Sequence, residues 1–142
     1  MKPYLVLNAF VFTGLFCFFS CKKGESSFDP SILHGKWSIV SDSSYQGVGS
    51  NNHLVVYIGQ AGDYFEFTTT GKLYIKEGTR TDTSNYQFTS NNEIAISPDG
   101  AALSNDVTIS HITDLNNRFA TIKTDLQITP GGIIGRTINL KR

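Results

Sequence analysis

The sequence predicts an all-β fold, an antiparallel up-and-down barrel of about eight strands. From Leu33 onward, apolar residues alternate in short runs, turn-forming residues separate the runs, and no stretch keeps an apolar spacing of 3.6 residues. Connections this short join antiparallel neighbours and leave no room for a crossover helix. A meander with one apolar face either closes on itself, which removes unpaired edges, or folds into a sandwich. Closure is the expectation carried forward. A closed eight-stranded barrel has an interior that is filled by side chains or holds one small ligand.

The elements follow in order. Trp37 and Ile39 share one face of a first strand, and Val55 with Tyr57 continues that face on a second, although Leu54 to Ile58 is apolar on both sides. Phe65 and Phe67, then Leu73 and Ile75, flank Thr68-Thr69-Thr70-Gly71, where Gly71 can take positive φ without a Cβ penalty. Tyr86 with Phe88 and Ile94 with Ile96 form a hairpin around Ser90-Asn91-Asn92, ended by Pro98-Asp99-Gly100. Val107 with Ile109, Ile122 with Leu126 and Ile128, and Ile138 with Leu140 complete the set. Asn116-Asn117 and Pro130-Gly131-Gly132 separate them.

Ahead of the barrel lies a different pattern. Lys2 is the only charge before Lys22, and the apolar run from Tyr4 to Phe19 is short for a membrane span. Phe18-Phe19-Ser20-Cys21 resembles the lipobox of bacterial lipoproteins, with Phe18 in place of the usual Leu; bulky Phe16 makes Cys17 a poor rival. The resemblance implies a signal peptide over 1–20, cleavage before Cys21, and diacylglycerol on its sulfur with a further acyl chain, such as palmitate, on its new amino group. Each buried methylene contributes about 0.8 kcal/mol, so several chains anchor firmly. Residues 21–31 then form the lipidated cysteine and a polar tether with Gly24, Ser26, Ser27 and Pro30, and 32–142 form one domain. Lys22 and Lys23 either rest on lipid headgroups or are solvated. Acidic residues associated with surface export do not follow Cys21 as a run. The expected location is therefore an outer-membrane anchor facing the periplasm.

The chain carries twelve basic and twelve acidic residues; losing Lys2 leaves eleven against twelve, a formal charge of −1. That balance points away from nucleic acid as a partner. With Cys17 removed and Cys21 lipidated, no thiol is left to form a disulfide, so stability must come from a core.

Gly35-Lys36-Trp37 at the head of the first strand resembles the Gly-x-Trp signature of lipocalins and related calycin barrels. Gly62-Asp63-Tyr64-Phe65-Glu66-Phe67, Thr70-Gly71-Lys72-Leu73-Tyr74-Ile75 and the closing Leu140-Lys141-Arg142 look like the lipocalin-like lipoproteins of Bacteroidetes-type bacteria. The resemblance spans roughly Leu33 to Arg142. It implies that Gly35, Trp37 and Arg142 form a barrel floor, with the guanidinium over the indole in a cation-π contact of about 0.5 to 2 kcal/mol. Arg142 shares the parity of Ile138 and Leu140, as does Arg136 further up the strand. The chain departs from typical lipocalins in lacking a disulfide, a C-terminal helix and long mouth loops, which argues against a large cavity.

No His-Glu-x-x-His, Cys-x-x-Cys, Gly-x-Ser-x-Gly or phosphate loop occurs, and Gly47-Val48-Gly49-Ser50 reads as a flexible loop. His34, His53 and His111 are scattered, without metal-ligand spacing. His111 continues the parity of Val107 and Ile109, so an inward imidazole there could bond a polar ligand or hold a buried water. Asp63 suits a turn, and Glu66, between two inward phenylalanines, points out. Tyr57, Phe65, Phe67, Tyr86 and Phe88 are candidates for a ligand cavity, though aromatics at alternating positions more often make core.

Three classes remain. A binding module leads: a membrane-tethered barrel taking a small apolar or lipid-like ligand by burial of its surface, with His111 or tyrosine hydroxyls fixing orientation. The alternative is a filled barrel acting as a protein-interaction or inhibitor module through loops at Ser41–Asn52 or Thr79–Ser84. An enzyme ranks last for want of a catalytic set, and no cofactor is implied.

Overall fold

The computed structural model describes residues 28–100 and 107–142; the expected signal peptide, Cys21 and the start of the expected tether lie outside the described residues. A 3-10 turn at Pro30–Leu33 leads into nine strands: β1 (Gly35–Gln46), β2 (His53–Ile58), β3 (Tyr64–Phe67), β4 (Lys72–Glu77), β5 (Arg80–Ser90), β6 (Glu93–Pro98), β7 (Thr108–Leu115), β8 (Phe119–Thr129) and β9 (Gly132–Lys141). All neighbours are antiparallel, and β1 pairs with β9 to close an eight-stranded barrel of β1 and β3–β9, with β2 as an extra strand.

β2 and β3 behave as one strand with a break. Both lie along the same edge of β1, β3 beside Gly35–Ser38 and β2 beside Ser41–Gln46. Across the break, Gly59 N–H donates to Val40 O at 3.1 Å and Ile39 N–H to Asp63 O at 3.3 Å. The approach at Gly59 admits no side chain, because a Cβ there would stand 2.0 Å from Ile39 O.

The chain direction gives the barrel two unlike ends. The segment before β1, the β3–β4, β5–β6 and β7–β8 turns, and the C-terminus gather at one end, the floor. The β1–β2, β4–β5 and β8–β9 connections gather at the other, the mouth, where β6 ends and β7 begins. The floor half is packed solid: Leu33, Trp37, Phe65, Phe67, Leu73, Ile94, Ile112, Ile122 and Leu140 are all but inaccessible, as dense as a protein core. Phe67 and Tyr86 meet edge-to-face at 5.3 Å, and Tyr86 and Phe88 at 5.6 Å. Tyr86 donates its hydroxyl to Thr68 O, and burial pushes its pKa up to about 12.

At the floor, the Trp37 indole N–H donates to Leu33 O at 2.7 Å. Arg142 covers the ring, its guanidinium carbon 4.1 Å from the centroid, and donates to the carbonyls of Ile32 and His34. The glycine of the Gly-x-Trp triplet has its own cause: Gly35 sits at φ +107°, and a Cβ there would press on the Arg142 guanidinium at 3.3 Å.

Three expectations need correcting. On β7 the inward face is Thr108, Ser110 and Ile112, not Val107, Ile109 and His111: Ile94 pairs with Ser110 and Ile112 with Ile122, and Ile109 is exposed. Thr-Ile-Ser-His-Ile carries apolar residues at both parities, and burying Ile112 in the floor half fixes the register. On β8 a register shift between Thr124 and Gln127 turns Leu126 and Ile128 outward although Ile122 is buried. Finally, Ser41–Gln46 and Arg80–Ser84 are strand, which leaves 47–52 and the Gly78-Thr79 turn as the connections at those places.

Candidate functional site

Above the packed floor the barrel interior becomes polar, and the change begins at a bulge. Strict alternation from Trp37 and Ile39 would turn Asp42 outward. The register against β9 shifts between Ile39 and Ser41, and Asp42 then pairs with Ile138 and faces in, 5% exposed. Arg136, two residues before Ile138, reaches it from β9: Nε donates to both carboxylate oxygens at 3.0 Å, and Nη2 donates to Oδ2. The same Nη2 donates to Glu77 Oε1 at 3.2 Å from the end of β4. Phe65, at the top of the core, lies 5.6 Å from the guanidinium carbon.

This cluster borders a cavity of about 190 Å³. Asp42, Ser44 and Gln46 of β1, Val55 and Tyr57 of β2, Ile75 and Glu77 of β4, Arg80 and Asp82 of β5, and Arg136 of β9 line it. A second space of about 270 Å³ shares Ser44 and Arg136 and is bounded by Ile96, Thr108, Ser110, Thr124, Ile134 and Ile138. Arg136 is thus a partition between a charged compartment and a more apolar one.

The electrostatics follow from burial and pairing. Burial opposes the charge on Arg136, but the hydrogen bonds and field of Asp42, with Glu77 and Asp82, outweigh it and raise the guanidinium pKa. Glu77 is pushed above the usual carboxylate range, first by burial and then by its hydrogen bond with Asp42 and that neighbour's negative charge; Arg136 and Arg80 offset this only in part. Glu77 is therefore the cavity carboxylate whose affinity for a proton is raised.

Tyr57 is positioned from behind. Its hydroxyl donates to Asp63, which also accepts from Gln60 N–H at 2.7 Å and Gly78 N–H at 2.8 Å. One carboxylate thus clips β2, the β2–β3 break and the β4–β5 turn. The hydrogen bond that Tyr57 donates to Asp63 is the main cause on both sides: it pushes the tyrosine up to about 12 and holds Asp63 below its ordinary value.

Of the residues expected around a ligand, Tyr57 is on the cavity wall. Phe65, Phe67 and Tyr86 are core, and Phe88 packs at the floor with its ring 6.1 Å from His34. His111 lies on the outer face, its Nε2 3.4 Å from Asp125 and its Nδ1 3.9 Å from Glu93. Gly35, Trp37 and Arg142 meet at the floor, and Cys21 lies outside the described residues. Among the described residues no group of three His, Cys, Asp or Glu is placed to hold a metal ion. Compared with family models and with curated proteins, the chain matches none.

Sequence reasoning missed Asp42, Glu77 and the use made of Arg136. Two signals were present, since Glu77 shares the parity of Leu73 and Ile75, and Arg136 that of Ile138 and Leu140. For Asp42 there was none.

Proposed function

We propose that this chain is a lipocalin-like lipoprotein, anchored to the outer membrane through lipid on Cys21, whose barrel binds a small molecule in its mouth half on the periplasmic side. The observation that carries the reading is the cavity beside the Asp42–Arg136–Glu77 cluster, a pre-formed concave site with convergent polar groups. The volume of this charged compartment is below the several hundred Å³ usual for drug-sized ligands, the more open space of about 630 Å³ beside Ile96, Thr108, Thr124 and Ile134 lying outside it, and the floor half is filled. Both favour a small polar or amphipathic molecule over the long apolar or lipid-like ligand expected from the sequence. The reading is one of binding, not catalysis.

The test is native mass spectrometry of the protein extracted from membranes in detergent. A bound small molecule, lost on Arg136→Ala, supports the proposal, and a bare protein that no small-molecule probe stabilises sinks it. Radiolabelled palmitate should enter the wild-type chain and not Cys21→Ser.

A second reading, a protein-interaction module, draws on the exposed aliphatic side chains near the mouth, Val48, Leu126, Ile128 and Ile134. Crosslinks from these positions to one reproducible partner would favour it.

A further inference from the structure

Charge accounting in the cavity identifies the class of ligand. Two guanidinium groups and three carboxylates face it. Arg80 is paired with Asp82 at 3.0 Å. Arg136 gives three hydrogen bonds to Asp42 and one, at 3.2 Å, to Glu77. Glu77 is thus the carboxylate in excess, and its side chain is only 17% exposed. A carboxylate withdrawn from water without a full counter-charge takes up a proton or a cation. An anion, by contrast, would meet a guanidinium already facing two carboxylates and would add a third negative charge beside them.

We infer that the ligand carries a protonated nitrogen base, a small organic ammonium held by Glu77 at the wall of the charged compartment, with the Arg136–Asp42 pair beside it. The inference rests on the binding reading above and names its ligand chemistry. Every element packed around Glu77 contributes a group to this field: Asp42 from β1, Tyr57 from β2, Arg80 and Asp82 from β5, and Arg136 from β9. Tyr57 is committed to Asp63, so it leaves Glu77 as the acceptor. The raised proton affinity of Glu77 agrees with this assignment. When the ammonium enters a site in which Glu77 is protonated, the Glu77 proton leaves to solvent and the ammonium keeps its own. Affinity therefore rises with pH as Glu77 ionises and falls as pH drops through its raised value.

The experiment uses the membrane-extracted protein in non-ionic detergent with three probes of one skeleton, butylamine, butanol and butyrate. Butylamine should raise the unfolding midpoint in a concentration-dependent way and, at pH low enough for Glu77 to carry a proton, release protons on binding, seen calorimetrically as heat that varies with the buffer; the other two should do neither. Glu77→Gln should weaken butylamine by at least about tenfold, whereas Glu77→Asp, which keeps the charge, should retain most of the response. If Glu77→Gln does not fold, loss of the response in wild-type protein at acid pH replaces it. Stabilisation by butyrate instead, or a butylamine response undiminished in Glu77→Gln, overturns the ammonium assignment. So does a natural ligand found by native mass spectrometry that carries no basic nitrogen, and that result leaves the binding reading standing. Absence of both a natural adduct and any probe response overturns the two together.

Discussion

Arg142 holds its guanidinium carbon 4.1 Å from the Trp37 ring centroid while its Nη2 reaches the carbonyls of Ile32 and His34, so the last residue of the chain clamps the segment that enters the first strand. Removing that clamp should cost more than a surface arginine normally does. Arg142→Ala is expected to lower stability by about 1 to 2 kcal/mol, the cation-π contact plus hydrogen bonds to the backbone, and Arg142→Lys should recover only part of it, lacking the planar fork. Trp37→Ala, which empties a fully buried site, should cost about 3 to 5 kcal/mol. Urea unfolding measures all three; an Arg142→Ala midpoint equal to wild type would remove the clamp from the account.

Asp42 and Glu77 should respond oppositely to neutralisation. Asp42→Asn leaves Arg136 without its bidentate partner, a loss of about 2 to 3 kcal/mol, at or below the lower end of the range for broken buried pairs because Arg136 is partly exposed. Glu77→Gln removes a carboxylate that burial already disfavours, so stability should be unchanged or slightly higher. Thermal melts of the two variants at neutral pH give the comparison. Equal destabilisation would mean that Glu77 is as fully compensated as Asp42.

The Tyr57–Asp63 clip makes an acid-side prediction. Asp63 has its folded pKa lowered, so its contribution to stability is present above its unfolded pKa and is lost as pH falls through the lower folded value. Wild type should lose stability across that acid window, and Asp63→Asn should show a shallower loss there from a starting Tm lower by roughly 5 °C. Tyr57→Phe should flatten the same limb, because it removes the bond that does most to lower the Asp63 value. Melting curves at several pH values between neutral and strongly acid test this, and parallel pH profiles for wild type and Asp63→Asn would contradict it.

How far the sequence revealed these features depends on where the backbone keeps a strict two-residue period. The floor was legible, because Gly35, Trp37 and Arg142 occupy strand positions where parity alone aims the side chains. Arg136 and Glu77 also obey parity, and what hid them was the ordinary habit of reading charged residues as solvated. Asp42 and Leu126 were illegible for another reason: Asp42 lies just past the register shift at Ile39/Ser41 on β1, and Leu126 lies within the one at Thr124/Gln127 on β8. The first shift arises in the pairing of β1 with β9 across the barrel seam and the second within the β8–β9 hairpin, and neither leaves a mark in the alternation of apolar residues. On β7, Ile109 and Ile112 offered two apolar parities, and only the packing of Ile112 against Ile122 decides between them.

The position of the floor also bears on how the proposed anchor would orient the barrel. Phe28 and Ile32 pack against the core, and the turn that follows leads to Trp37, so the chain leaves the barrel at its closed end. From Cys21 to Phe28 is seven residues, a reach of about 25 Å at full extension, comparable with the roughly 30 Å height of a barrel built from tilted strands of this length. The closed end should therefore lie nearer the bilayer and the cavity should open away from it. Under the proposed processing, which removes Cys17 and acylates Cys21, a single introduced cysteine can carry a fluorophore without competition. A label at Asn117→Cys, on the floor-side β7–β8 turn, should be quenched by spin-labelled lipid more than twice as strongly as one at Ser50→Cys on the mouth side, a contrast on the order of that produced by a barrel's height. Equal quenching at the two positions would mean that the barrel lies on its side, and stronger quenching at Ser50→Cys would turn the cavity toward the membrane.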